Sequence, residues 1–430
     1  MNKLLKSKKF FAAIAFAMVV AILVPATVFA VTGEPGSADG NLTNQATTST
    51  PVGTVGNLYF QGSTTVGPIV VQAYQDYNSY RGGTTVIAGT SSIIQNGSGD
   101  GRVAAANHYT DIGDSSGTPS GGISWSADGL NAYAIARDGI IFIVNTSVTG
   151  ISNMTTGQIA EIYNGLYTNW DQITDPITNT TGPNMPIIPR GRTLDSGTRS
   201  SFKDLINAGN TSPQTISYLS PAVDPTSGTA PGAGTTGEAE NWVLYTLGFN
   251  QYPRLEGNAD MQNAINSNSA TGECGYVGLG FDAGTYIKDI NIVKSNVAYA
   301  PSGPNIYSGS YPLARFLYQV TANDWTPSNA TTDVQNWLTW IRQEDGTGQQ
   351  DVAKAGELKL IPDQAVLQTS VTSTYTIGVL DLIAVGNKVG QTTNLGRTDV
   401  LHNGSISVLD LIAVGNYCGT VVQALPSGVN

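Results

Sequence analysis

Short apolar runs and helix-like repeats alternate along the middle of the chain. Runs rich in β-branched residues predict strands at Thr84–Ala88, Ile140–Val144 and Ile187–Pro189. Apolar residues at helical spacing predict helices that begin near Val66 and contain Ile159. Alternation of strands with helices is typical of an α/β protein. We therefore expect an α/β fold.

The first thirty residues have a different pattern. Lysines precede an unbroken apolar run and a small-residue exit, at residues 3 to 9, Phe10–Val24 and Val28–Ala30. This arrangement predicts a secretory signal that is cleaved after Ala30. An uncleaved membrane anchor is the alternative, although fifteen helical residues span only ~22 Å of a ~30 Å hydrocarbon core. No cysteine follows the run, so we expect an exported, extracytoplasmic protein that is not a lipoprotein.

The rest of the chain divides into three parts. Residues 31–55 are rich in Gly, Thr, Ser and Pro and predict a flexible linker before an α/β domain over residues 56–365. The nine residues Val379–Asn387 recur without change at Val408–Asn416. This identity indicates a tandem repeat, so residues 366–430 are expected to form a separate module.

Composition narrows the choice of partners. Charged residues make up 12% of the chain, against ~25% in ordinary domains. The net charge of −11 argues against nucleic acid and anionic membranes as partners, and it means that an anion site would need local donors. The two cysteines, Cys274 and Cys418, could pair in an oxidising compartment, or both could be free buried thiols.

Three loops rich in Gly, Ser and Thr each precede a predicted helix, at Gly62–Thr65, Gly97–Gly101 and Arg192–Thr198. A helix N-terminus presents unpaired backbone N–H groups, so each loop could hold an anion. Arg192 adds a full positive charge in a fork suited to two oxygens of an oxyanion. Simple N-capping by Ser or Thr is the alternative for each loop. Whether the loops meet in space does not follow from these patterns.

Several motifs resemble, in the same order, those of the phosphate-binding proteins of ABC-type importers. The motifs are Gly62–Pro68, Gly97–Gly101, Thr110–Ser116 and Arg192–Thr198, with further matches at Leu166–Trp170, Gly275–Gly278 and Tyr311–Arg315. Together they extend over roughly residues 56 to 345. The resemblance implies an extracytoplasmic solute-binding protein that captures inorganic phosphate and delivers it to the membrane permease of an ABC importer.

The resemblance also implies an α/β, two-lobed type II periplasmic-binding-protein fold that closes about a hinge. One lobe would comprise about residues 56–134 and 282–365, and the other about residues 135–281. The phosphate-binding residues that it implies are Thr64, Thr65, Ser98, Ser116, Arg192, Ser196, Gly197 and Thr198.

One position departs from the better-known family pattern. Many relatives carry, at the place of Ser116, an aspartate that accepts the proton of hydrogen phosphate and rejects sulfate. A serine hydroxyl both accepts and donates, so it would not exclude sulfate in this way. Asp114 could substitute if the backbone turned it toward the anion, and a solvent-facing or capping role is the alternative. Binding of another oxyanion, sulfate or arsenate, therefore remains an alternative function.

The C-terminal repeat resembles dockerin modules, which bind calcium through EF-hand-like loops and dock onto cohesin domains. In the second copy, loop oxygens would come from Asp399, Asn403, Ser405 and Asp410, with Gly404 at the turn. The first copy keeps only Asp381 as a carboxylate. We expect the apolar faces of the two helices to pack together, and a docking surface for a cohesin-like protein is the alternative. The apolar residues concerned are Leu380, Ile383, Ala384, Leu409, Ile412 and Ala413.

Binding is favoured over catalysis. Neither histidine, His108 nor His402, lies in one of the three loops, and no nucleophile–base arrangement is recognisable. His108 is the one candidate base, with a helix-end or surface role as the alternative. A surface scaffold with a vestigial anion site is a third class. We therefore expect no enzyme activity and no cofactor beyond calcium in the C-terminal repeat.

Overall fold

The computed structural model describes residues 58–119, 124–192, 196–208, 210, 257–268, 270–324, 329–343, 346–360, 377–393, 398–400, 405–416 and 418. Within these ranges, none of the helices is both long and apolar enough to cross a membrane. The strands are β1 (Phe60–Gly62), β2 (Ile93–Gln95), β3 (Ile112–Ser115), β4 (Leu130–Gly139), β5 (Ile141–Asn145), β6 (Asn153–Thr155), β7 (Ile188–Pro189), β8 (Glu273–Val277), β9 (Ile287–Asp289), β10 (Asn291–Lys294), β11 (Val297–Tyr299), β12 (Ala314–Ala322) and β13 (Leu358–Lys359).

The helices confirm the predicted α/β alternation. They are α1 (Gly67–Tyr80), α2 (Ser98–Ala106), α3 (Thr156–Tyr163), α4 (Gly197–Asn207), α5 (Asn258–Ile265), α6 (Gly303–Tyr307), α7 (Asn329–Ile341), α8 (Thr347–Lys354), α9 (Val379–Gly386) and α10 (Val408–Asn416). Short 3₁₀ helices lie at Thr90–Ser92, Trp170–Gln172 and Leu279–Phe281.

The first lobe is built on a six-stranded sheet with the order β13-β4-β12-β3-β1-β2. Strand β1 runs parallel to β2 and β3, whereas β12 runs antiparallel to both β3 and β4. The carboxyl ends of β1, β2 and β3 therefore lie at one edge of the sheet. Helices α1 and α2 begin just beyond that edge, which is where open α/β sheets bind ligands.

Aromatic packing fixes helix α1 on this sheet. Pro68 lies in its first turn, where a missing N–H costs no hydrogen bond. Its buried face includes Tyr77, whose ring meets the ring of Trp337 edge-on at a centroid distance of 5.0 Å. Phe60 of β1 contacts the same tryptophan, also at 5.0 Å. The N-terminus of α1 is thereby held at a defined place above β1.

The second lobe contains a four-stranded sheet, β7-β8-β5-β9, and a three-stranded sheet, β11-β10-β6. Strand β9 pairs with β5, and β10 pairs with β6, so the second-lobe sheets continue to Tyr299. This limit lies beyond the residue-281 boundary suggested by the sequence, because the strands that follow Phe281 return to the same lobe. Strand β4 likewise stays in the first-lobe sheet as far as Gly139.

The chain passes directly from the first lobe to the second where β4 ends and β5 begins. Asp138, at the end of β4, is fully buried there. Its Oδ1 accepts a hydrogen bond of 2.8 Å from the backbone N–H of Leu279, which follows β8. A carboxylate of the first lobe therefore ties together two segments at the junction between the lobes.

The predicted strand at Thr84–Ala88 is wrong. Gly82 and Gly83, just before it, have φ of 74° and 80°, and they turn the chain as only glycine does easily. Val86 and Ile87 are buried, but their backbone N–H groups donate to the side chain of Asn78, at 2.9 and 3.0 Å. The carbonyl of Val86 accepts from the backbone N–H of Leu58 at 2.7 Å. With both N–H groups bonded to a side-chain amide, the segment forms no continuous strand ladder.

The two cysteines are not joined. Cys274 is buried on β8, and Cys418 is exposed after α10. Of the two alternatives left by the sequence, the structure has both thiols free, but only one of them is buried.

Candidate anion-binding site

Hydrogen bonds to Ser63 hold the first loop in a tight turn. The backbone oxygen of Ser63 accepts from the N–H of Gly67 at 2.8 Å, and its Oγ accepts from the N–H groups of Thr65 and Val66 at 3.1 and 3.3 Å. Gly62 has a φ of 136° and packs against Gly101, so it has no room for a side chain. This tight turn places the hydroxyls of Thr64 and Thr65 at the N-terminus of α1.

The second loop brings two serines together. Ser98 begins α2, and Ser116 directly follows β3. The Oγ of Ser98 accepts from the backbone N–H of Ser116 at 3.0 Å, and the two hydroxyl oxygens lie 3.2 Å apart. Both residues are buried. The pairing of β3 with β1 thus converts two loops that are separate in sequence into one surface.

The third loop enters from the second lobe. The Oγ of Ser196 caps α4 by accepting from the N–H of Arg199 at 3.2 Å, which is the ordinary N-cap role weighed above. Gly197, the first residue of α4, faces Ser98 across the two lobes. A Cβ at Gly197 would lie only 2.7 Å from the Cβ of Ser98 and 2.9 Å from the backbone nitrogen of Gly117. A glycine is therefore required for this close approach.

Side chains of the two lobes join in one hydrogen-bonded chain. The hydroxyl of Thr198 lies 3.2 Å from that of Thr65, which accepts from the Nδ2 of Asn258 at 2.8 Å. The Oδ1 of Asn258 accepts from Nη1 of Arg192 at 2.6 Å, and Nη2 of Arg192 donates to Thr64 Oγ1 at 3.2 Å. The first-lobe residues Thr64 and Thr65 are thus bonded to three residues of the second lobe.

A second arginine joins this network from strand β12. Nη2 of Arg315 donates to Thr198 Oγ1 at 3.2 Å, and its Nη1 donates to the backbone oxygen of Ser116 at 2.8 Å. The other side of the guanidinium faces Asp138, whose Oδ2 lies 2.7 Å from Nε and 2.6 Å from Nη2. Arg315 therefore connects the hinge region, the end of β3 and the start of α4.

The structure brings together most of the residues proposed from the sequence. The residues that meet across the cleft are Thr64, Thr65, Ser98, Ser116, Arg192, Gly197 and Thr198. The remaining predicted residue, Ser196, lies beside them as the helix cap. Their roles as phosphate ligands stay predictions.

Asn258 and Arg315 were not proposed as site residues. Arg315 stands in the motif Tyr311–Arg315, so its presence in a family-like segment was the available signal. Asn258 lies in the sequence Glu256–Asp260, which contains no distinctive motif, and nothing local marks it. Both side chains reach the cleft only because of the packing of α5 and β12.

Basic groups dominate the buried charges around the cleft. Arg102, Arg192, Arg199 and Arg315 are all at least nine-tenths buried. Of the carboxylates near this group, Asp138 is paired with Arg315, and burial raises the pKa of the neighbouring Glu357 well above its usual range. A chain with a net charge of −11 therefore has a locally basic centre, as an anion site in an acidic protein requires.

Asp114 does not replace the aspartate that many relatives carry at the place of Ser116. Its Oδ1 accepts from Nε2 of Gln319 at 3.0 Å, and Gln319 in turn accepts from the indole N–H of Trp337 at 2.7 Å. Complete burial raises the pKa of Asp114 to about 8, the bond from Gln319 acting in the opposite direction. The group is therefore a neutral acid in the interior of the first lobe at neutral pH.

His108 has the helix-end role. It follows the C-terminus of α2, at the opposite end of that helix from Ser98, with a φ of 60°. Its Nε2 lies 3.0 Å from Oδ1 of Asp324, and both side chains are partly exposed. This position separates the imidazole from the cleft.

The C-terminal repeat corrects one expectation. The described core between its helices is formed by Ile377, Val385, Val400, Ile406 and Val414. Leu380 is 67% exposed and Leu409 is 59% exposed, and Ile383 and Ile412 are also exposed, so this face does not hold the helices together. The helices are apolar on more than one side, and Val385 and Val414 make the contact, with Ala413 of the predicted face packed partly buried against them. Leu380 and Ile383 correspond to Leu409 and Ile412 in the repeat.

The calcium prediction remains untested. Asp410 is buried, and its Oδ2 accepts from the N–H and the hydroxyl of Ser407 at 2.8 and 3.1 Å. Asp399 is also buried, and Ser405 is partly buried. Asn403 lies outside the described residues. Within the described ranges, no group of three or more His, Cys, Asp or Glu side chains could hold a metal ion.

Comparison with known proteins agrees with this geometry. Residues 44–344 match a family model described as the PBP superfamily domain. The phosphate-binding protein PstS of Borreliella burgdorferi is 27% identical over 302 residues, which are 69% of this chain and 88% of the relative.

Two solved structures share the fold. A putative phosphate ABC transporter substrate-binding protein with bound phosphate from Clostridium perfringens is 20% identical, with a TM-score of 0.50 and coverage of 71% of this chain and 100% of that chain. A human phosphate binding apolipoprotein is 14% identical, with a TM-score of 0.50 and coverage of 81% of this chain and 99% of that chain. These likenesses concern the two-lobed architecture.

Proposed function

Because the chain belongs to the PBP superfamily, we propose that it is an extracytoplasmic solute-binding protein that captures inorganic phosphate for import by an ABC permease. The observation that carries the proposal is the interlobe chain of hydroxyls and guanidinium groups, in which Thr65, Thr198, Arg192 and Arg315 are all buried. An anion that enters between the lobes would meet donors from both of them. The names of the similar proteins, which specify phosphate, support the same ligand.

The chemistry of the site favours binding over reaction. A tetrahedral oxyanion offers oxygen acceptors on every side, and the cleft offers hydroxyl, guanidinium and helix N-terminal donors. The described histidine, His108, is held at the far end of α2 by Asp324. We therefore regard the protein as a carrier that closes on its ligand, opens at a permease and releases the ligand unchanged.

The C-terminal repeat suggests an additional attachment role. Matching apolar residues are exposed on both helices, which include Leu380 and Leu409. Contiguous exposed apolar side chains mark protein-binding surfaces more often than ordinary surface. A cohesin-like surface protein is the partner that the dockerin resemblance suggests, with calcium at the second loop as an accessory. The anion site and this attachment would then operate independently.

The proposal is tested by calorimetric titration of phosphate, arsenate and sulfate into the mature chain. We expect phosphate to bind, and Arg192→Ala to weaken binding about 100-fold or more, since it removes a buried charge that bonds to both lobes. Sulfate binding comparable to that of phosphate would change the ligand to oxyanions in general. A folded wild-type protein that binds none of the three anions would refute the transport role and favour the scaffold alternative.

A further inference from the structure

The hydroxyl groups of the cleft have unequal hydrogen-bonding freedom. A threonine or serine hydroxyl carries one proton to donate and lone pairs to accept. Guanidinium groups, amide NH₂ groups and backbone N–H groups only donate. A hydroxyl that already accepts from one of these fixed donors therefore keeps its proton for another acceptor.

Most of the cleft hydroxyls accept from such a fixed donor. Thr64 accepts from Arg192, and Ser98 accepts from the backbone N–H of Ser116. Thr198 accepts from Arg315. In the described part of the chain, the hydroxyl of Ser116 contacts only the hydroxyl of Ser98, so it has no fixed donor and is able to accept.

Thr65 belongs to the same group because the orientation of Asn258 is determined. One end of the Asn258 amide lies 2.6 Å from Nη1 of Arg192, and a guanidinium cannot accept. That end must therefore be the carbonyl oxygen, and the NH₂ group must face Thr65 Oγ1 at 2.8 Å. Arg192 thus acts on Thr65 through Asn258.

The orientation of the Arg315 guanidinium is also determined by its hydrogen bonds. Asp138 accepts from its Nε and Nη2, and the backbone oxygen of Ser116 accepts from its Nη1. The side chain of Arg315 is 5% exposed, and that of Asp138 is fully buried. Because Nε, Nη1 and Nη2 all have acceptors, the guanidinium is fixed in the orientation in which Nη2 also donates to Thr198.

We propose that Arg315 and Asn258 are positioning residues of the anion site, which hold the hydroxyls of Thr198 and Thr65 so that both protons are donated to the bound anion. The two hydroxyls, 3.2 Å apart, need only one proton for their own contact, and an anion that contacts both of them receives both protons. The inference rests on the proposed function and deepens it. It also defines the ligand class, which is an oxyanion whose oxygens facing the threonines are unprotonated.

A purely structural role for Arg315 predicts different behaviour. A structural ion pair with Asp138 would act on folding and would contribute to anion affinity independently of Thr198. A positioning role requires the hydroxyl of Thr198, because that is the group which meets the anion. Arg315→Lys keeps the positive charge but loses the fork that serves Asp138 and Thr198 together.

The test is a double-mutant cycle on phosphate affinity, measured by calorimetry on the mature chain, with thermal unfolding of each variant as the check on folding. Arg315→Lys and Thr198→Val are each expected to weaken binding about 10-fold, as for loss of a hydrogen bond to a charged group. The double variant is expected to bind no more weakly than Thr198→Val alone. Independent effects, so that the double variant loses the product of the two factors, would overturn the proposal.

A second cycle uses Asn258→Ala with Thr65→Val and addresses the other threonine, so the proposal is still tested if Arg315→Lys does not fold. Non-additive loss is again expected, and additive loss would again contradict the positioning role. The result also separates the inference from the proposed function. A wild-type chain that binds phosphate but shows additive cycles refutes the inference alone, whereas a folded wild-type chain that binds no oxyanion refutes both.

Discussion

The cleft and the C-terminal repeat depart from the usual distribution of side chains in opposite directions. The cleft buries polar groups, with Arg192 and Thr65 each 1% exposed. The repeat exposes apolar groups, with Leu380 and Leu409 more than half exposed. Polar side chains are mostly exposed in proteins and large apolar ones are mostly buried, so each departure is informative. The proposed phosphate ligand and the proposed attachment surface correspond to these two departures.

The energetic reasons differ as well. A buried polar group is costly unless it has a hydrogen-bond partner, and in the cleft the partners come from the opposite lobe. In the structure, the contact between the lobes is therefore what satisfies these groups. In the repeat, the apolar residues Val385 and Val414 already pack in a small core, and the exposed face contributes nothing to it. The polar groups of the cleft are thus satisfied by contacts between the lobes, whereas the core of the repeat forms without its exposed apolar face.

Gly197→Ala is the change that we expect to affect the cleft most without altering a polar group. Alanine favours a helix more than glycine, but its Cβ would lie 2.7 Å from that of Ser98 when the lobes are closed. Overpacking of this kind predicts a loss of about 10- to 100-fold in phosphate affinity, measured by calorimetry.

Gly303→Ala is the matched control for this substitution. Gly303 also begins a helix, α6, and a Cβ there meets nothing nearer than 3.7 Å. Its phosphate affinity should equal that of the wild type. Unchanged affinity in Gly197→Ala would show that ligand binding does not require this approach of the lobes.

Asp114→Asn tests whether a polar group in the interior of the first lobe affects stability without affecting phosphate binding in the cleft. Burial raises the pKa of Asp114 from 3.8 to about 8, so folding takes up a proton between these two values. Its contribution to stability is therefore present at low pH and is lost as pH rises through about 8. We expect the wild type to lose up to about 1.4 kcal/mol of unfolding free energy per pH unit relative to Asp114→Asn in this window.

Denaturant unfolding of both proteins at several pH values provides the measurement. Phosphate affinity of Asp114→Asn should stay close to that of the wild type, because Asp114 bonds to Gln319 and not to the cleft hydroxyls. Parallel stability curves for the two proteins would mean that Asp114 is ionised in the folded state.

The sequence predicted those cleft residues that belong to a short local motif. Thr64, Ser98 and Arg192 lie in short loops before helices, and the helix N-terminus itself explains why such residue types stand there. Asn258 and Arg315 lie on elements that are distant in sequence from these loops. They contact the hydroxyls of Thr65 and Thr198 because the two lobes pack together. No local spacing contains that information.

The errors have the same origin. The apolar run that contains Val86 was predicted as a strand, but the side chain of Asn78 satisfies its backbone. In the repeat, helix α9 is apolar on several sides, so periodicity could not decide which side is buried. In the structure Val385 is buried and Leu380 and Ile383 are exposed. The buried face is the one that packs on Val414 of α10, and the pattern of a single helix does not contain this contact.

The smallest effect is expected for the paired change Leu380→Ser and Leu409→Ser. Both side chains are exposed, so the unfolding free energy should stay within about 0.5 kcal/mol of the wild type, and phosphate affinity should be unchanged. Val385→Ser with Val414→Ser is the matched buried control and should unfold the repeat, since both side chains are in its core. Circular dichroism and calorimetry measure the two properties. Destabilisation by the leucine changes would show that this face packs within the protein, and the contrast between a folded repeat and a free contact surface would then fail.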